Sequence, residues 1–428
     1  MSNIYEAMTT AELDKAIADL ERQTAEIRAR GLSLDMARGK PSREQTDLSR
    51  PMLDILNSSS DLSDQGSPAE NYGVPDGLPS ARQLAAELLG VDAANVIVNG
   101  SSSLNLMHDA VVNAYTKGIA GCAPWCQQGE VKFLCPSPGY DRHFAVTARY
   151  GIKNIPIAMM ADGPDMDEVQ RLVESDPQVK GIWCVPKYAN PTGISYSEET
   201  VRRFAALRPA AADFRIFWDN AYIIHDLYDE GDELLNIFDA LEEAGNTNFV
   251  YEFASTAKVT FPSSGMAFVT ASPDDIAELR AAFQIMRVSP EKISQLAHVR
   301  FLKDVAGVRA HMAKHAAILR PRFELVQSKL EEGLAGTGVA TWTNPRGGYF
   351  VSFDGPEGSA KRIVAMMREL GVTMTGAGAT WPYGQDPRDS NIRIAPTFPT
   401  LEALGGALDV FVVVVRLVSA QLAREARA

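Results

Sequence analysis

A lysine in the middle of the chain has a neighbourhood suited to covalent chemistry. Lys258 follows three small residues, 255–257, and precedes a loop rich in serine, proline and glycine, "VTFPSSG". Small neighbours leave room for a bulky group on the amine, and a lysine amine can form a Schiff base with a carbonyl compound. Asp219 ends the apolar segment "FRIFWD", where a carboxylate is costly unless a cation pairs with it.

Other polar residues fit the remaining parts of a flat, phosphorylated ligand. Ser101 and Ser102 open a predicted helix, where hydroxyls, backbone N–H groups and the helix dipole favour a phosphate. Tyr140 follows a Pro-Gly turn and can stack on a planar ring, while Asn190 and Tyr222 can donate to a ring oxygen. A protonated pyridine nitrogen is the cation that the acid at the strand end requires. Together these demands describe pyridoxal 5′-phosphate.

The candidate residues lie where predicted strands end. Short apolar strands, "TNFVYEFAS" among them, alternate with amphipathic helices. This pattern predicts an α/β fold whose large domain has a mostly parallel sheet covered by helices on both faces. In such folds ligands bind at the carboxyl ends of the strands. Five predicted strand ends carry polar or aromatic residues, at 100–103, 136–140, 190–193, 219–222 and 255–258.

The two ends of the chain predict a smaller α+β domain beside the large one. Thr9 and Glu12 have the spacing of a capping box, which predicts a helix to about Arg30. Long helices and the strands "GGYFVSFD" and "NIRIAP" dominate after about residue 280. We therefore predict three segments. Residues 1–70 form an N-terminal arm and part of the small domain, residues 71–300 form a large cofactor-binding domain, and residues 301–428 form the C-terminal small domain.

Composition excludes several classes of function. The 428 residues are 46% hydrophobic and 22% charged, as in ordinary globular proteins. A formal charge of −13 argues against nucleic-acid or anionic-membrane partners. The N-terminus lacks an apolar signal-peptide core, the run Val410–Val415 is too short to span a bilayer, and the four cysteines lack disulfide or metal spacing. We therefore expect a cytoplasmic protein without a metal; His311 and His315 have zinc-pair spacing, but Met312 stands where a glutamate base would be.

Three motifs in order resemble the class I aminotransferases of the aspartate aminotransferase superfamily. They are an Asn-Pro-x-Gly turn at 190–193, an Asp-x-x-Tyr strand end at 219–222 and a Ser-x-x-Lys at 255–258, followed by Arg393 in "NIRIAP". The resemblance covers roughly residues 39–399. It implies a pyridoxal-phosphate enzyme of fold type I that moves an amino group from an amino acid to a 2-oxo acid.

The resemblance also implies roles. Lys258 would hold the cofactor and move a proton between it and the substrate α-carbon. Asp219 would keep the pyridine nitrogen protonated, with His143 supporting Asp219. Arg393 would bind the substrate α-carboxylate through a bidentate pair. Tyr72 resembles a tyrosine that reaches a phosphate across a dimer interface, so a homodimer with shared active sites is expected.

One departure from the family pattern follows the lysine. Most relatives place an arginine there to pair with the phosphate, whereas residues 259–265 contain no base and the next arginine is Arg280. Ser255, Ser263 and Ser264, with the helix N-terminus, are the candidates to replace it. The missing arginine and the Arg-Gly-Lys-Pro segment resemble a bacterial subgroup of aspartate aminotransferases.

The predicted substrate pair is aspartate and 2-oxoglutarate. A dicarboxylic substrate needs a second cation besides Arg393, and the candidates are Arg38, Lys40 and Arg346. Alanine, aromatic amino acids or kynurenine are alternative donors, and a pyridoxal-phosphate lyase is possible on the same fold. A nucleotide-binding oxidoreductase is the competing class, but it requires a glycine-rich fingerprint after the first strand, and "NVIVNGSSSLN" has a single glycine.

Overall fold

One large sheet dominates the computed structural model, which describes residues 3–246 and 249–427. The strands along the chain are β1 (Leu34–Asp35), β2 (Ser63–Asp64), β3 (Ser67–Pro68), β4 (Val96–Val98), β5 (Lys132–Ser137), β6 (Lys153–Met160), β7 (Gly163–Pro164), β8 (Val179–Cys184), β9 (Arg215–Asp219), β10 (Val250–Ser255), β11 (Ala267–Thr270), β12 (Thr341–Trp342), β13 (Val351–Asp354), β14 (Val372–Thr373) and β15 (Asn391–Ile394). Eight of them form the large sheet in the order β4–β11–β10–β9–β8–β5–β6–β7.

This sheet is mostly parallel, as the alternating pattern predicts. Strands β6, β5, β8, β9 and β10 pair in parallel, while β11 runs antiparallel to both of its neighbours and β7 runs antiparallel to β6. The predicted strand "TNFVYEFAS" corresponds to β10, although its first two residues, Thr247 and Asn248, lie outside the described residues.

Helices cover both faces of the sheet. The helices along the chain are α1 (Ile4–Ala7), α2 (Thr10–Ala29), α3 (Arg43–Asp47), α4 (Pro79–Leu89), α5 (Ser103–Thr116), α6 (Asp141–Arg149), α7 (Met166–Ser175), α8 (Glu198–Ala206), α9 (Ile237–Glu243), α10 (Pro273–Met286), α11 (Lys292–Leu302), α12 (Val305–Leu334), α13 (Ala360–Glu369) and α14 (Leu401–Glu425). Ile216 and Phe217, neighbours on β9, are both fully buried but belong to different hydrophobic clusters. Because successive strand residues point to opposite faces, two buried faces explain the continuous apolar runs.

The chain ends meet in a second α+β region. β1 pairs in parallel with β14, so that Leu34 lies opposite Val372, and β12, β13 and β15 form a separate small sheet. Its core joins Leu13 of α2, Phe353 of β13 and Phe411 of α14. The fold class is therefore the one predicted, whereas the division at residues 70 and 300 stays a prediction.

Two long helices, α12 and α14, contribute residues to this core. α14 is long and apolar enough to cross a membrane by length and hydropathy alone, but 61% of that stretch is buried inside the protein. Its buried side, which includes Val414 and Val418, belongs to the same core as α2. The other helix, α12, spans 30 residues and contains Pro321 in its interior.

Candidate active site

The predicted site residues follow strands that share one edge of the large sheet. β9 ends at Asp219, which lies opposite Phe253 of its parallel neighbour β10. Parallel strands carry their carboxyl ends to the same edge, so the segments after β5, β8, β9 and β10 emerge together. β4 also runs in this direction, because it is antiparallel to β11, which is antiparallel to β10. Tyr140, Asn190, Tyr222 and Lys258 follow these strands.

Asp219 is a buried acid with two hydrogen-bonding neighbours. It is 4% exposed, and its Oδ2 lies 3.0 Å from His143 Nε2. The Ser103 hydroxyl, in the first turn of α5, donates to Oδ1 at 3.5 Å. His143 is fixed in turn, because its ring stacks on Trp183 with centroids 4.6 Å apart. These contacts hold a carboxylate in one orientation away from bulk water.

Lys258 occupies a contrasting environment. Its amine lies 4.9 Å from the centre of the Tyr222 ring. Burial lowers the pKa of this amine, and the negative charge of Asp219 opposes that effect only in part. A lowered pKa increases the share of neutral amine, which is the nucleophilic form.

Two tyrosines border the same space with their hydroxyls protonated. Burial, with the charge of Asp219 adding to it, raises the pKa of Tyr140 to about 12. Burial also raises the pKa of Tyr222 well above its usual value. The Tyr140 ring meets His143 edge-on, with centroids 4.9 Å apart. Both hydroxyls can therefore donate hydrogen bonds at neutral pH.

Arg393 lies on β15 and reaches the edge of the large sheet. It is 9% exposed, and its Nη1 donates to Asn190 Oδ1 at 3.2 Å and to Asp141 Oδ1 at 3.3 Å. Its Nη2 donates to Thr375 Oγ1 at 3.4 Å, and the guanidinium lies 4.8 Å from the centre of the Phe350 ring. Its Nε is buried and has no hydrogen-bond partner among the described residues.

The serines predicted to bind a phosphate lie at the start of α5 and near the lysine. Ser102 is the N-cap of α5, but its side chain makes no capping bond. Ser255 Oγ accepts from the Ala257 amide at 3.4 Å. Gly265 allows the two segments to approach, since a Cβ there would lie 2.7 Å from the Ser101 carbonyl oxygen. The two serine-bearing segments are thus close neighbours, as a shared phosphate site requires.

Some other predicted residues make no hydrogen bond to Asp219, Lys258 or Arg393 within the part of the chain that the structure describes. The Ser264 hydroxyl lies 3.3 Å from Ser294 Oγ, and Arg346 donates to the Glu230 carbonyl oxygen. Tyr72 is 76% exposed.

The segment with Arg38 and Lys40 lies next to Arg393. The Thr375 hydroxyl donates to the Ala37 carbonyl oxygen at 2.7 Å and accepts from Arg393. Both basic side chains are exposed, and the Lys40 amine lies 3.9 Å from the centre of the Phe398 ring.

Sequence reasoning missed several of these partners. Ser103, Asp141, Thr375 and Trp183 contact the predicted residues, yet none was singled out for a role. Ser103 has a sequence signal, because it begins the same helix as the two predicted serines. Thr375 and Asp141 have none, since their contacts join separate strands and helices.

The comparisons with known proteins identify the family. The family model described as "Aspartate amino-transferase" matches residues 8–426. The chain belongs to the aspartate aminotransferase family. It is 42% identical to an aspartate aminotransferase of Corynebacterium glutamicum over 94% of this chain and 93% of that protein. The crystal structure of an aspartate transaminase from the same species has a TM-score of 0.96 at 40% identity, covering 99% of this chain and 100% of that one.

A more distant structure shows the same fold. The α-aminoadipate aminotransferase of Thermus thermophilus has a TM-score of 0.70 at 20% identity, covers 95% of this chain and 96% of that one, and was solved with N-(5′-phosphopyridoxyl)-L-leucine. The protein is thus an aminotransferase with the α/β fold of its family, and the family uses pyridoxal 5′-phosphate. The residues present fit this cofactor: a buried acid, an amine with a lowered pKa, tyrosine hydroxyl donors and a helix N-terminus.

Proposed function

We propose that the protein uses pyridoxal 5′-phosphate, held by Lys258, to transfer the amino group of aspartate to 2-oxoglutarate. The observation that carries the proposal is the pairing of two adjacent strand ends, one with a fixed buried acid and one with an amine of lowered pKa. The 42% identity to an aspartate aminotransferase supports aspartate as the donor.

The residues divide the chemistry between the two ends of the cofactor. When bound, the cofactor supplies a ring that stabilises the negative charge left as the α-proton departs. Lys258 would hold the carbonyl carbon of the cofactor until the substrate amine displaces it, and the released neutral amine would then accept that proton. Asp219 would keep the pyridine nitrogen protonated, while His143 fixes the carboxylate. Tyr222 would donate to the ring oxygen, since its raised pKa keeps its hydroxyl protonated.

The remaining residues bind and orient. Tyr140 would stack on the ring, and Ser101, Ser102 and Ser255 would donate to the phosphate. Arg393 binds the substrate α-carboxylate; its unpaired Nε and its contact with Asn190 support this role.

The basic residues next to Arg393 are candidates for the second substrate carboxylate. Arg38 and Lys40 are exposed and lie on the segment that Thr375 ties to Arg393.

An exposed apolar patch supports a homodimer. Ile285 and Val288 are 88% and 70% exposed, and Tyr72 is close to them in space because the Ser289 hydroxyl donates to the Gly73 carbonyl oxygen. Covering such a patch with a second copy removes apolar surface from water. We propose a cytoplasmic homodimer in which Tyr72 reaches the phosphate of the neighbouring subunit. Light scattering on the purified protein measures its mass; a monomer at micromolar concentration would contradict this arrangement.

A donor screen combined with chemical trapping tests the proposed reaction. Pure protein loaded with pyridoxal phosphate should be yellow, and borohydride reduction should attach the cofactor to Lys258, as peptide mass spectrometry can read directly. With 2-oxoglutarate as acceptor, aspartate should react fastest. A faster reaction with alanine, an aromatic amino acid or kynurenine would identify that compound as the preferred donor in place of aspartate. Product formation without an oxo acid would indicate a lyase. Attachment at another lysine would contradict the assigned site.

A further inference from the structure

Two buried histidines lie directly behind the lysine loop. His311 and His315 are one turn apart on α12, and they are 5% and 1% exposed. His311 Nε2 lies 2.9 Å from the carbonyl oxygen of Val259, the residue that follows Lys258. His315 Nε2 lies 3.2 Å from His311 Nε2. The two imidazoles thus contact each other, and His311 contacts a peptide group beside the lysine.

A buried glutamine determines which ring nitrogen carries the proton. Gln45 Oε1 accepts from the Ser42 amide at 3.0 Å, so the amide nitrogen of Gln45 points to the other side. There it lies 3.1 Å from His315 Nδ1 and 2.9 Å from the Tyr349 hydroxyl. His315 Nδ1 therefore accepts, and a neutral His315 carries its proton on Nε2. Burial keeps the ring neutral, because it lowers the pKa of His315 to about 4.

The same glutamine also orients a second donor towards the loop. The Tyr349 hydroxyl accepts from Gln45 and donates to the Lys258 carbonyl oxygen at 3.5 Å. Tyr349 is 1% exposed and Gln45 is fully buried. The Lys258 carbonyl oxygen is thus held by a donor that one buried amide sets in place. The same amide orients the His315 ring, which contacts His311 next to the Val259 carbonyl oxygen.

We propose that Gln45 and His315 are positioning residues for Lys258: they fix the peptide groups of the lysine loop and thereby aim the amine at the cofactor. The inference rests on the proposed role of Lys258. The lysine side chain is flexible, and its amine must remain free to react, so its direction has to be fixed at the backbone. A fully satisfied buried network is rigid enough to do this, and small displacements of a reacting group are costly, about 10²-fold for 1 Å.

The test replaces His315 with two amides of different reach. His315→Gln can place an amide nitrogen near the Nε2 position, whereas His315→Asn reaches only the Nδ1 position. In the cofactor-loaded protein, His315→Asn should lower kcat about tenfold or more with the donor KM within about threefold, and it should shift the pH midpoint of the cofactor's visible absorption. His315→Gln should restore most of both. His108→Gln is the matched control, a partly buried histidine of α5 that contacts Tyr150.

Further measurements decide between structural and positioning roles. Equal behaviour of the two His315 variants, with an unmoved absorption midpoint, would overturn the inference and leave His315 as core packing. Should both variants fail to fold, Tyr349→Phe removes only the hydroxyl; it should move the midpoint in the folded enzyme, and an unchanged midpoint would count against the proposal. Borohydride labelling of Lys258 in the unsubstituted protein checks the proposed function separately, since its absence would remove Lys258 itself from the chemistry.

Discussion

The two reactive ends of the site are held in opposite ways. Asp219 is fixed through its own carboxylate, with His143 Nε2 at 3.0 Å and the Ser103 hydroxyl at 3.5 Å. The Lys258 amine makes no hydrogen bond or ion pair to any residue in the described ranges and faces the Tyr222 ring. A group that supplies a constant charge is best held at the charge, whereas a group that forms and breaks bonds is best held at its backbone.

Removing the Lys258 amine, which has no hydrogen-bond partner among the described residues, should have the largest effect on activity. Lys258→Ala eliminates both the covalent attachment and the base, so we expect kcat/KM to fall by about 10⁴-fold or more. The measurement is the rate with aspartate and 2-oxoglutarate at saturating cofactor. Lys329→Ala, at a lysine of α12 that pairs with Asp409, is the control and should be unchanged. If the Lys258→Ala variant kept an activity within tenfold of the unsubstituted protein, Lys258 would not be the reactive amine and the contrast with Asp219 would be wrong.

Neutralising the Asp219 carboxylate should lower the activity by a smaller factor. Asp219→Asn keeps the shape but removes the charge that a protonated pyridine nitrogen requires, and we expect kcat to fall by about 10³-fold. Lys258 is intact in this variant, so borohydride should still attach the cofactor. Full activity in Asp219→Asn would show that the acid does not face the ring nitrogen.

A second buried acid, Glu252, allows the effect of burial on a carboxyl group to be measured through the stability of the protein. The Glu252 carboxylate accepts from the Asn220 amide at 2.8 Å, and burial raises its pKa from 4.5 to about 7. The folded state therefore holds this proton more tightly than the unfolded state. The resulting stabilisation is complete below pH 4.5 and is lost as the pH rises through 7.

Glu252→Gln should remove that dependence. Over this pH range the unsubstituted protein should lose on the order of 3 kcal/mol more unfolding free energy than the variant. Urea unfolding at pH 5 and pH 8, at one protein concentration, measures the difference. Parallel losses in both proteins would mean that Glu252 is already ionised at pH 5.

The support behind Asp219 should have the smallest effect. His143→Phe keeps an aromatic ring against Trp183 but loses the N–H, and a hydrogen bond to a charged group is worth about 1.5–3 kcal/mol. We expect kcat to fall about tenfold or somewhat more, with His143→Gln retaining most of it. If His143→Phe matches Asp219→Asn in the loss of kcat, the histidine acts directly rather than through the acid.

Local chemistry explains what the sequence can predict. Asp219 and Lys258 stand out because a carboxylate after an apolar strand and a lysine after small residues are unusual without a ligand. The alternation of elements predicts the mostly parallel sheet, but it cannot reveal that β11 is antiparallel, since period-two burial is the same in either direction. Gln45 and His315 carry no such signal, because their roles depend on contacts between residues 270 positions apart.

The helix α12 belongs to two of the hydrophobic clusters. Val308 and Met312, in the first half of α12, pack in the cluster that includes strands β4 and β11, while Phe323 and Leu330 pack in the cluster of α14. Pro321 lies between them and interrupts the ladder of backbone bonds. Neither cluster can come apart without displacing the helix from the other, so heating should give one calorimetric transition.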